Sequence, residues 1–125
     1  MPEVVHRRYV SHADAHYAGG LVDGAYVLRI FGEVATELSI VTEADEGLLA
    51  GYETVDFHNP VLAGDVLEVT GRIESTGRRS RRLELKAHVT SRSDSSERES
   101  GAKHLAEKIL VTSAIAVLVV PNKDK

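Results

Sequence analysis

The hydrophobic residues along the chain follow two different periods. Between Ala25 and Val41, apolar residues recur every three or four positions, which predicts a helix with one buried face. Three later stretches alternate apolar with polar residues, as strands with one buried face do; they cover residues 53–57, 67–73 and 83–89. From Ile109 to Val120 nearly every residue is apolar, which predicts a strand covered on both faces.

The polar segments between these stretches set the order of the elements. A short strand is expected at Val4–Val10, followed by a polar loop at Ser11–Asp23 that leads into the helix. Turn residues predict a hairpin connection at residues 59–65 between the first two later strands, and a second turn at Gly77. The segment Ser91–Lys103 is very polar and predicts a long loop before the last strand. The expected order is therefore strand, helix and a four-stranded meander.

One helix and five strands can bury their apolar faces in only a few ways. We expect an α+β fold in which a curved antiparallel sheet wraps around one long central helix. Such an arrangement leaves a sheet edge and part of the helix uncovered, which favours a homodimer. Residues 1–125 are predicted to form a single domain.

Composition and charge narrow the range of functions. The formal net charge is −4, which argues against nucleic acid as a partner. The chain has no cysteine, so it has no disulfide, thiolate metal site or cysteine nucleophile. No apolar run suits a signal peptide, and the run at 109–120 is too short to cross a bilayer. A cytoplasmic protein with no membrane partner is the expectation.

Two segments resemble a known family. Residues 55–69, VDFHNPVLAGDVLEV, resemble a hairpin of hotdog-fold acyl-CoA thioesterases and dehydratases, in which a strand runs into a Pro-containing turn and Gly-Asp. Residues 14–38, DAHYAGGLVDGAYVLRIFGEVATEL, resemble the small hotdog-fold CoA ammonia lyases of amino-acid fermentation. The resemblance extends from about Ser11 to Ile73.

The resemblance implies the hotdog fold and a lyase. The implied reaction removes ammonia from a β-aminoacyl-CoA, such as 3-aminobutyryl-CoA, and leaves an enoyl-CoA such as crotonyl-CoA. It implies no metal and no cofactor beyond the coenzyme A carried by the acyl-CoA substrate. It also implies a homodimer that assembles further into a trimer of dimers.

Two other functions remain open at this point. Hotdog thioesterases usually carry an aspartate beside the helix glutamate, and this chain has Gly32 next to Glu33, which favours the lyase over a thioesterase. A thioesterase would use the same carboxylate to activate water. A non-catalytic acyl-CoA-binding protein would need no carboxylate there.

The predicted helix carries two carboxylates beside its apolar stripe. Glu33 and Glu37 lie four residues apart and share one side of the helix. With the resemblance, either is a candidate base for removing the proton next to the thioester carbonyl, because desolvation makes a carboxylate a better base. The alternative is that both are ordinary solvated residues.

The start of the helix is the predicted site for the thioester carbonyl. In the hotdog resemblance this carbonyl lies near the helix N-terminus, where free N–H groups favour negative charge. Gly19, Gly20 and Gly24 would allow close approach of the backbone to the substrate, although Gly19 and Gly20 equally suit an ordinary turn. Asp23 is a substrate-binding candidate or a helix cap and nothing more.

The loop before the helix contains further candidates. His16 and Tyr17 could hydrogen-bond the thioester or donate a proton, because imidazole titrates near neutral pH; alternatively they hold the loop to the domain. His12, Asp14 and His16 could be drawn as a metal site, but no further ligand is evident, so no metal is predicted.

Arginines are concentrated after residue 70. Arg78, Arg79, Arg81 and Arg82 lie in one five-residue window, with Arg72 as a further candidate. Arginine binds phosphate in bidentate fashion, so these five are predicted to contact the phosphates of coenzyme A. The alternative is a charged turn that keeps one end of the sheet in water.

Overall fold

The computed structural model describes residues 2–121, in which one long helix packs against an antiparallel sheet of five strands. A pair of two-residue strands lies outside that sheet. In chain order the elements are β1 (Glu3–Tyr9), β2 (Leu21–Val22), α1 (Gly24–Glu43), β3 (Leu48–Phe57), β4 (Val61–Leu62), β5 (Val66–Thr76), β6 (Ser80–Ser93) and β7 (Ala102–Val119).

The helix is close to its prediction, starting one residue earlier and ending two later. Its apolar stripe packs into the concave face of the sheet and includes Phe31, which is completely buried. The helix ends at Ala44, whose backbone is left-handed with φ 56° and whose N–H donates to the carbonyl of Ile40 at 2.9 Å. Within residues 2–121 no helix is both long enough and apolar enough to cross a membrane.

The predicted meander is wrong in its strand pairing. The sheet order is β1-β5-β6-β7-β3, so β3 pairs with β7 at one edge and not with β5. Residues 59–65 are therefore a connection between opposite sides of the sheet, in which β4 pairs with β2. Proline and glycine mark where a chain turns, but they do not say which strands pair afterwards.

The loop predicted at Ser91–Lys103 is shorter than expected. β6 continues to Ser93 and β7 begins at Ala102, with Ser91 opposite His104 in the ladder. Only residues 94–101 connect the two strands. Ser91 and Arg92 are half-buried and residues 102–104 are exposed, so these strand ends show no apolar alternation.

β7 is also less covered than its composition suggests. Ala114, Ala116 and Leu118 face the helix and are buried, whereas the alternate residues, such as Ile115 and Val117, are half-buried on the outer face. The prediction of a strand covered on both faces is thus wrong for a single chain.

The polar loop predicted before the helix is more ordered than expected. It contains two 3-10 turns, at His12–Asp14 and Ala18–Gly20, and then β2. The N–H of Ala63 donates to the carbonyl of Gly20 at 2.8 Å, which fixes this loop to the connection after β3.

Asp65 is the buried anchor of the same connection. Its carboxylate is inaccessible to solvent, accepts two hydrogen bonds from Arg92 at 2.9 Å each, and accepts a third from the N–H of Leu62 at 2.8 Å. The Gly-Asp of the sequence motif therefore supports the fold, because it ties the β4 turn to β6.

Candidate functional site

A pocket lies at the start of α1, between the first helical turn and the end of β3. We call it the helix-start pocket, and it encloses about 330 Å³. Its walls are Val22, Asp23, Gly24, Val27, Phe57, His58, Asn59, Pro60, Val61 and Thr112. It thus brings two of the predicted substrate-binding residues together with a strand end that the sequence interpretation had treated only as part of the fold.

Asp23 occupies the N-cap position of α1 without capping the helix through its side chain. Its backbone is extended (φ −73°, ψ 160°), and its carboxylate accepts no hydrogen bond from the first turn. The interpretation of Asp23 as a side-chain cap is therefore wrong. The N–H groups of the first turn carry the positive end of the helix dipole, and no capping side chain occupies them.

Gly24 is required by the way the pocket is built. A Cβ atom at this position would lie 2.6 Å from Cε1 of Phe57, whose ring packs against the first helical turn. Any larger residue would push this ring away. Gly24 therefore allows Phe57 to form the wall opposite the helix.

Gly19 and Gly20 act on the preceding loop and are not pocket walls. Both have positive φ, 80° and 78°, which only glycine adopts without strain. Their turn brings β2 alongside β4 and so sets where the helix begins. A direct contact of these glycines with substrate stays a prediction.

Glu33 and Glu37 lie farther along the helix and face an open groove. Nη2 of Arg8 donates to Glu33 at 2.6 Å, and the His6 ring lies 2.5 Å from Glu37. Both carboxylates are about half-exposed. Gly24 precedes Glu33 by nine residues, which is about 14 Å along a helix axis. Within one chain the carboxylates and the helix-start pocket are therefore separate.

The Glu33 end of the groove meets the polar loop. Burial raises the pKa of Tyr26, the nearby Asp14 raises it further, and Arg8 acts in the opposite direction. Glu33 also raises the pKa of this phenol. Tyr26 consequently keeps its proton at neutral pH and is a hydrogen-bond donor beside Glu33.

His16 and Tyr17 do not line the helix-start pocket. Their rings form an edge-to-face pair with centroids 4.6 Å apart, and Tyr17 is 55% exposed. The backbone N–H groups of both residues donate to the carbonyl of Leu21. This arrangement agrees with the alternative in which the two residues hold the loop in place.

Two arginines of the cluster are engaged by carboxylates. Arg81 pairs with Glu43 at the end of α1, where both side chains are largely buried, and donates to backbone carbonyls of the adjacent turn. Arg82 is bound by Glu53 and Glu74. A phosphate would have to displace these partners.

The remaining three arginines are not all engaged by carboxylates. Arg72 pairs with Glu84 at 2.7 Å on the outer face of the sheet. Arg78 and Arg79 are exposed in the β5–β6 turn, and they form no ion pair with any residue from 2 to 121. Arg78 and Arg79 are therefore the members of the cluster most open to an anion.

The candidate metal ligands are dispersed in the part of the chain that the structure describes. Across positions 2–121 no three His, Cys, Asp or Glu side chains are grouped closely enough to bind a metal ion. The His12, Asp14 and His16 set does not form such a group.

The sequence pattern did not predict several residues that line the pocket or contact the helix carboxylates. His6 and Arg8 follow the buried Val4 at two-residue spacing in β1, so they share its face and their polar side chains point towards the helix. Polar residues at core-face positions of a predicted strand could have indicated these two contacts with the helix. His58 and Asn59 follow the end of β3 in a proline turn, where the sequence pattern contains no comparable signal.

Comparisons with known proteins agree with this fold. The family model of the thioesterase superfamily matches residues 19–96, which include the helix-start pocket up to Val61 and both helix carboxylates. A hexameric hotdog-fold thioesterase of Campylobacter jejuni superposes with a TM-score of 0.77 at 19% identity, over 95% of this chain and 83% of that one, which shows the fold. The chain is therefore a hotdog-fold member of the thioesterase superfamily.

Two relatives specify the family further. The 3-aminobutyryl-CoA ammonia lyase of Acetoanaerobium sticklandii is 45% identical over 100% of this chain and 98% of its own length. The β-alanyl-CoA:ammonia lyase from Clostridium propionicum superposes with a TM-score of 0.92 at 31% identity, covering 99% of this chain and 88% of that one. The chain belongs to the family of hotdog-fold CoA ammonia lyases, and the predicted family and fold are confirmed.

Proposed function

We propose that this chain eliminates ammonia from a β-aminoacyl-CoA, with conversion of 3-aminobutyryl-CoA to crotonyl-CoA as the reaction to test first. The observation that carries the proposal is the 45% identity, along the full chain, to a protein named for that activity. The helix-start pocket supports it, because a thioester carbonyl placed there would meet the first-turn N–H groups. Those groups stabilise the negative charge that develops on the oxygen when the neighbouring carbon loses a proton.

The base is proposed to come from a second copy of the chain. Within one protomer, Glu33 and Glu37 lie about 14 Å or more along the axis from the start of the helix. β3 is an edge strand whose outer side pairs with no strand among residues 2–121, and it exposes Leu48 (69%) and Phe57 (59%). An open edge with exposed apolar residues is a natural pairing surface for a second β3.

A two-fold axis through the middle of β3 would bring the two half-sites together. In such an antiparallel pair, Phe57 at one end of β3 lies opposite Leu48 of the second copy. Leu49 lines the open groove that Glu33 and Glu37 face, which we call the carboxylate groove. The helix-start pocket of one copy would then open towards the carboxylate groove of the other, and one dimer would contain two equivalent sites.

The same symmetry bears on coenzyme A. Leu48 and Ser80 both pair with Val119, so the β5–β6 turn lies at the Leu48 end of the sheet. Within one chain this end is about 30 Å from the pocket, at roughly 3.3 Å per strand residue. In the dimer, Arg78 and Arg79 of the second copy would lie at the pocket end and could bind the phosphates. Further assembly into a trimer of dimers is proposed by analogy with the hexameric hotdog thioesterase.

Thioester hydrolysis is the second candidate, because the matching family model is that of the thioesterases. One experiment separates the two reactions. Purified protein is incubated with crotonyl-CoA and ammonium, and loss of enoyl absorbance is followed while a thiol reagent detects free coenzyme A. Amine addition without thiol release supports the lyase. Thiol release alone assigns the chain to hydrolysis, and no change in either signal assigns it to acyl-CoA binding.

Glu33→Gln and Glu37→Gln are expected to separate the base from its neighbour. The variant that loses the base should lose about 100-fold or more of kcat, because general base catalysis contributes about 10² to 10⁴. The other should change kcat by less than about 10-fold. Steady-state kinetics at pH 7 measures this, with Glu107→Gln on the exposed part of β7 as the matched control. Full activity in both variants would rule out Glu33 and Glu37 as the base.

Mixing two inactive variants is expected to restore activity if the site is shared between copies. Gly24→Val fills the pocket against Phe57, while the less active glutamate variant removes the base. Half of randomly mixed dimers are hybrids and each has one intact site, so about a quarter of the wild-type rate should return. Activity is measured after unfolding and joint refolding, with separately refolded samples as the control. No recovery, despite hybrids seen by native mass spectrometry, would place the site within one chain.

A further inference from the structure

Two side-chain pairs join β1 to α1 with matching spacing. His6 and Arg8 are two residues apart on β1, and their partners Glu37 and Glu33 are four residues apart on α1. Two residues of a strand span about 6.6 Å and four residues of a helix span about 6 Å, so one strand can serve both carboxylates. Each glutamate is therefore held by its own residue of β1, and the two glutamates differ in the chemistry of that partner.

The two partners differ in what they can do with a proton. Nη2 of Arg8 donates to Glu33 at 2.6 Å, and a guanidinium keeps its protons in proteins and has no site to accept another. Nε2 of His6 lies 2.5 Å from Oε1 of Glu37, and an imidazole nitrogen can be a donor or an acceptor. Glu37 is therefore the glutamate whose β1 partner can take up a proton from it.

The surroundings of His6 leave the ring in contact with water. The residue opposite His6 in the sheet is Val69, which is fully buried and apolar, whereas the His6 side chain is 23% exposed. Its Nδ1 has no hydrogen-bond partner among residues 2–121 and is open to solvent. A proton that reaches His6 from Glu37 can thus leave from the other side of the ring.

The proposed dimer brings Glu37 closer than Glu33 to the pocket of the second copy. α1 starts beside Phe57, where a Cβ on Gly24 would lie 2.6 Å from the ring, and it runs towards the Leu48 end of β3. In the antiparallel pair of β3 strands, Phe57 of the second copy lies opposite Leu48, so the second pocket faces the later turns of α1. Glu37 is about 6 Å farther along the helix in that direction than Glu33.

We propose that Glu37 is the base and that His6 is the positioning residue that holds it and takes up its proton, which rests on the lyase function proposed above. The Glu37 carboxylate takes a proton from the carbon next to the thioester carbonyl. The electron pair of this C–H bond forms the new C=C bond, and the pair of the C–N bond leaves with nitrogen as ammonia. Glu37 passes the proton to the His6 imidazole, which gives it up through water to ammonia. Protonated β-aminoacyl-CoA thus becomes enoyl-CoA and ammonium with no net gain or loss of protons.

Kinetics of three variants tests this assignment. His6→Gln keeps a hydrogen-bond donor for Glu37 but cannot take up its proton, so kcat should fall about 10-fold or more with little change in KM. Arg8→Gln should lower kcat less than His6→Gln does. His104→Gln, which replaces an exposed histidine on β7 that contacts neither glutamate, should match the wild type. Wild-type kcat in His6→Gln, or a larger loss in Arg8→Gln, would overturn the assignment and leave the lyase intact.

Rescue by small molecules separates proton exchange from simple support of the glutamate. Imidazole added to His6→Ala should raise its kcat about 5-fold or more, because imidazole fills the vacated space and accepts a proton. Pyrazole has the same size but takes up no proton at neutral pH, so it is the control and should raise kcat less. Equal effects of the two compounds, including no effect of either, would overturn proton exchange by His6.

Deuterium exchange distinguishes failure of this assignment from failure of the lyase. Butyryl-CoA has no amine to lose, so in D₂O the base exchanges the protons next to the carbonyl, and mass spectrometry counts the deuterium. Exchange should be about 100-fold slower in Glu37→Gln than in Glu33→Gln. Exchange that depends on Glu37 in a protein that adds no ammonia to crotonyl-CoA would overturn the lyase and keep the base. Wild-type exchange in Glu37→Gln, or none in the wild type, would overturn Glu37 as the base.

Discussion

Arg92→Met is expected to lower the free energy of unfolding by about 3–5 kcal/mol, the usual cost of leaving one partner of a buried ion pair alone. The wild-type guanidinium makes two hydrogen bonds of 2.9 Å to Asp65, and this pairing raises the pKa of Arg92. Asp65 is completely inaccessible to water. Without Arg92 its carboxylate would keep only the N–H of Leu62, so the cost falls on a charge that solvent cannot reach.

The two partners differ in exposure to solvent, and this difference provides a control. The Arg92 side chain is 23% exposed, so in Asp65→Asn the remaining charge can reach water and the loss should be smaller, about 1–3 kcal/mol. Lys103→Met removes one partner of the exposed pair with Asp94, 3.7 Å away, and should change stability by less than about 1 kcal/mol. Urea unfolding at pH 7 measures all three. An Arg92→Met loss no larger than that of Lys103→Met would contradict the burial of the pair.

Phe31→Ala is expected to cost about 3–5 kcal/mol, because it removes a large side chain from a site with no access to solvent. Phe31 lies in the middle of the buried stripe of α1, where the helix meets the concave face of the sheet. The cavity would open between elements that are far apart in sequence, so they cannot collapse easily to fill it.

Phe31→Leu is the graded control for this core. It keeps most of the apolar volume and should cost less than about 1.5 kcal/mol. Thermal and urea unfolding of both variants, at equal protein concentration, measure the difference. Similar losses in the two variants would mean that shape, and not the cavity, dominates at this position.

The helix could be predicted because all of its information is local. Its apolar stripe from Val27 to Leu38 has one period, and the structure buries that stripe. The pairing of β3 could not be predicted, because alternation reports a buried face and not a neighbour. Phe57 illustrates the limit: it alternates with polar residues as a core residue would, yet it is 59% exposed on the sheet edge.

The candidate site was predictable in part for similar reasons. Gly24 and Asp23, which the resemblance assigned to the carbonyl site, line the helix-start pocket, and their contact with substrate stays a prediction. The ion pair of Glu33 with Arg8 joins residues 25 positions apart, and no local pattern specifies which strand will lie beside a helix. His58 was missed because its setting depends on β7, 55 residues later in the chain.

β7 connects the helix-start pocket of its own chain with the arginine turn that the proposed dimer presents to the other pocket. Near its middle, the carbonyl of Val111 and the hydroxyl of Ser113 hold the turn that carries His58, and just beyond its end Val120 donates to the carbonyl of Arg79. The number of β7 residues between these contacts therefore fixes the distance between the two turns. One residue inserted between these contacts would turn the side chains beyond it to the opposite face of the sheet. The two turns would then no longer both keep their contacts with β7. Insertions and deletions among relatives should accordingly occur at residues 94–101, where a change in length leaves both of these contacts of β7 in place.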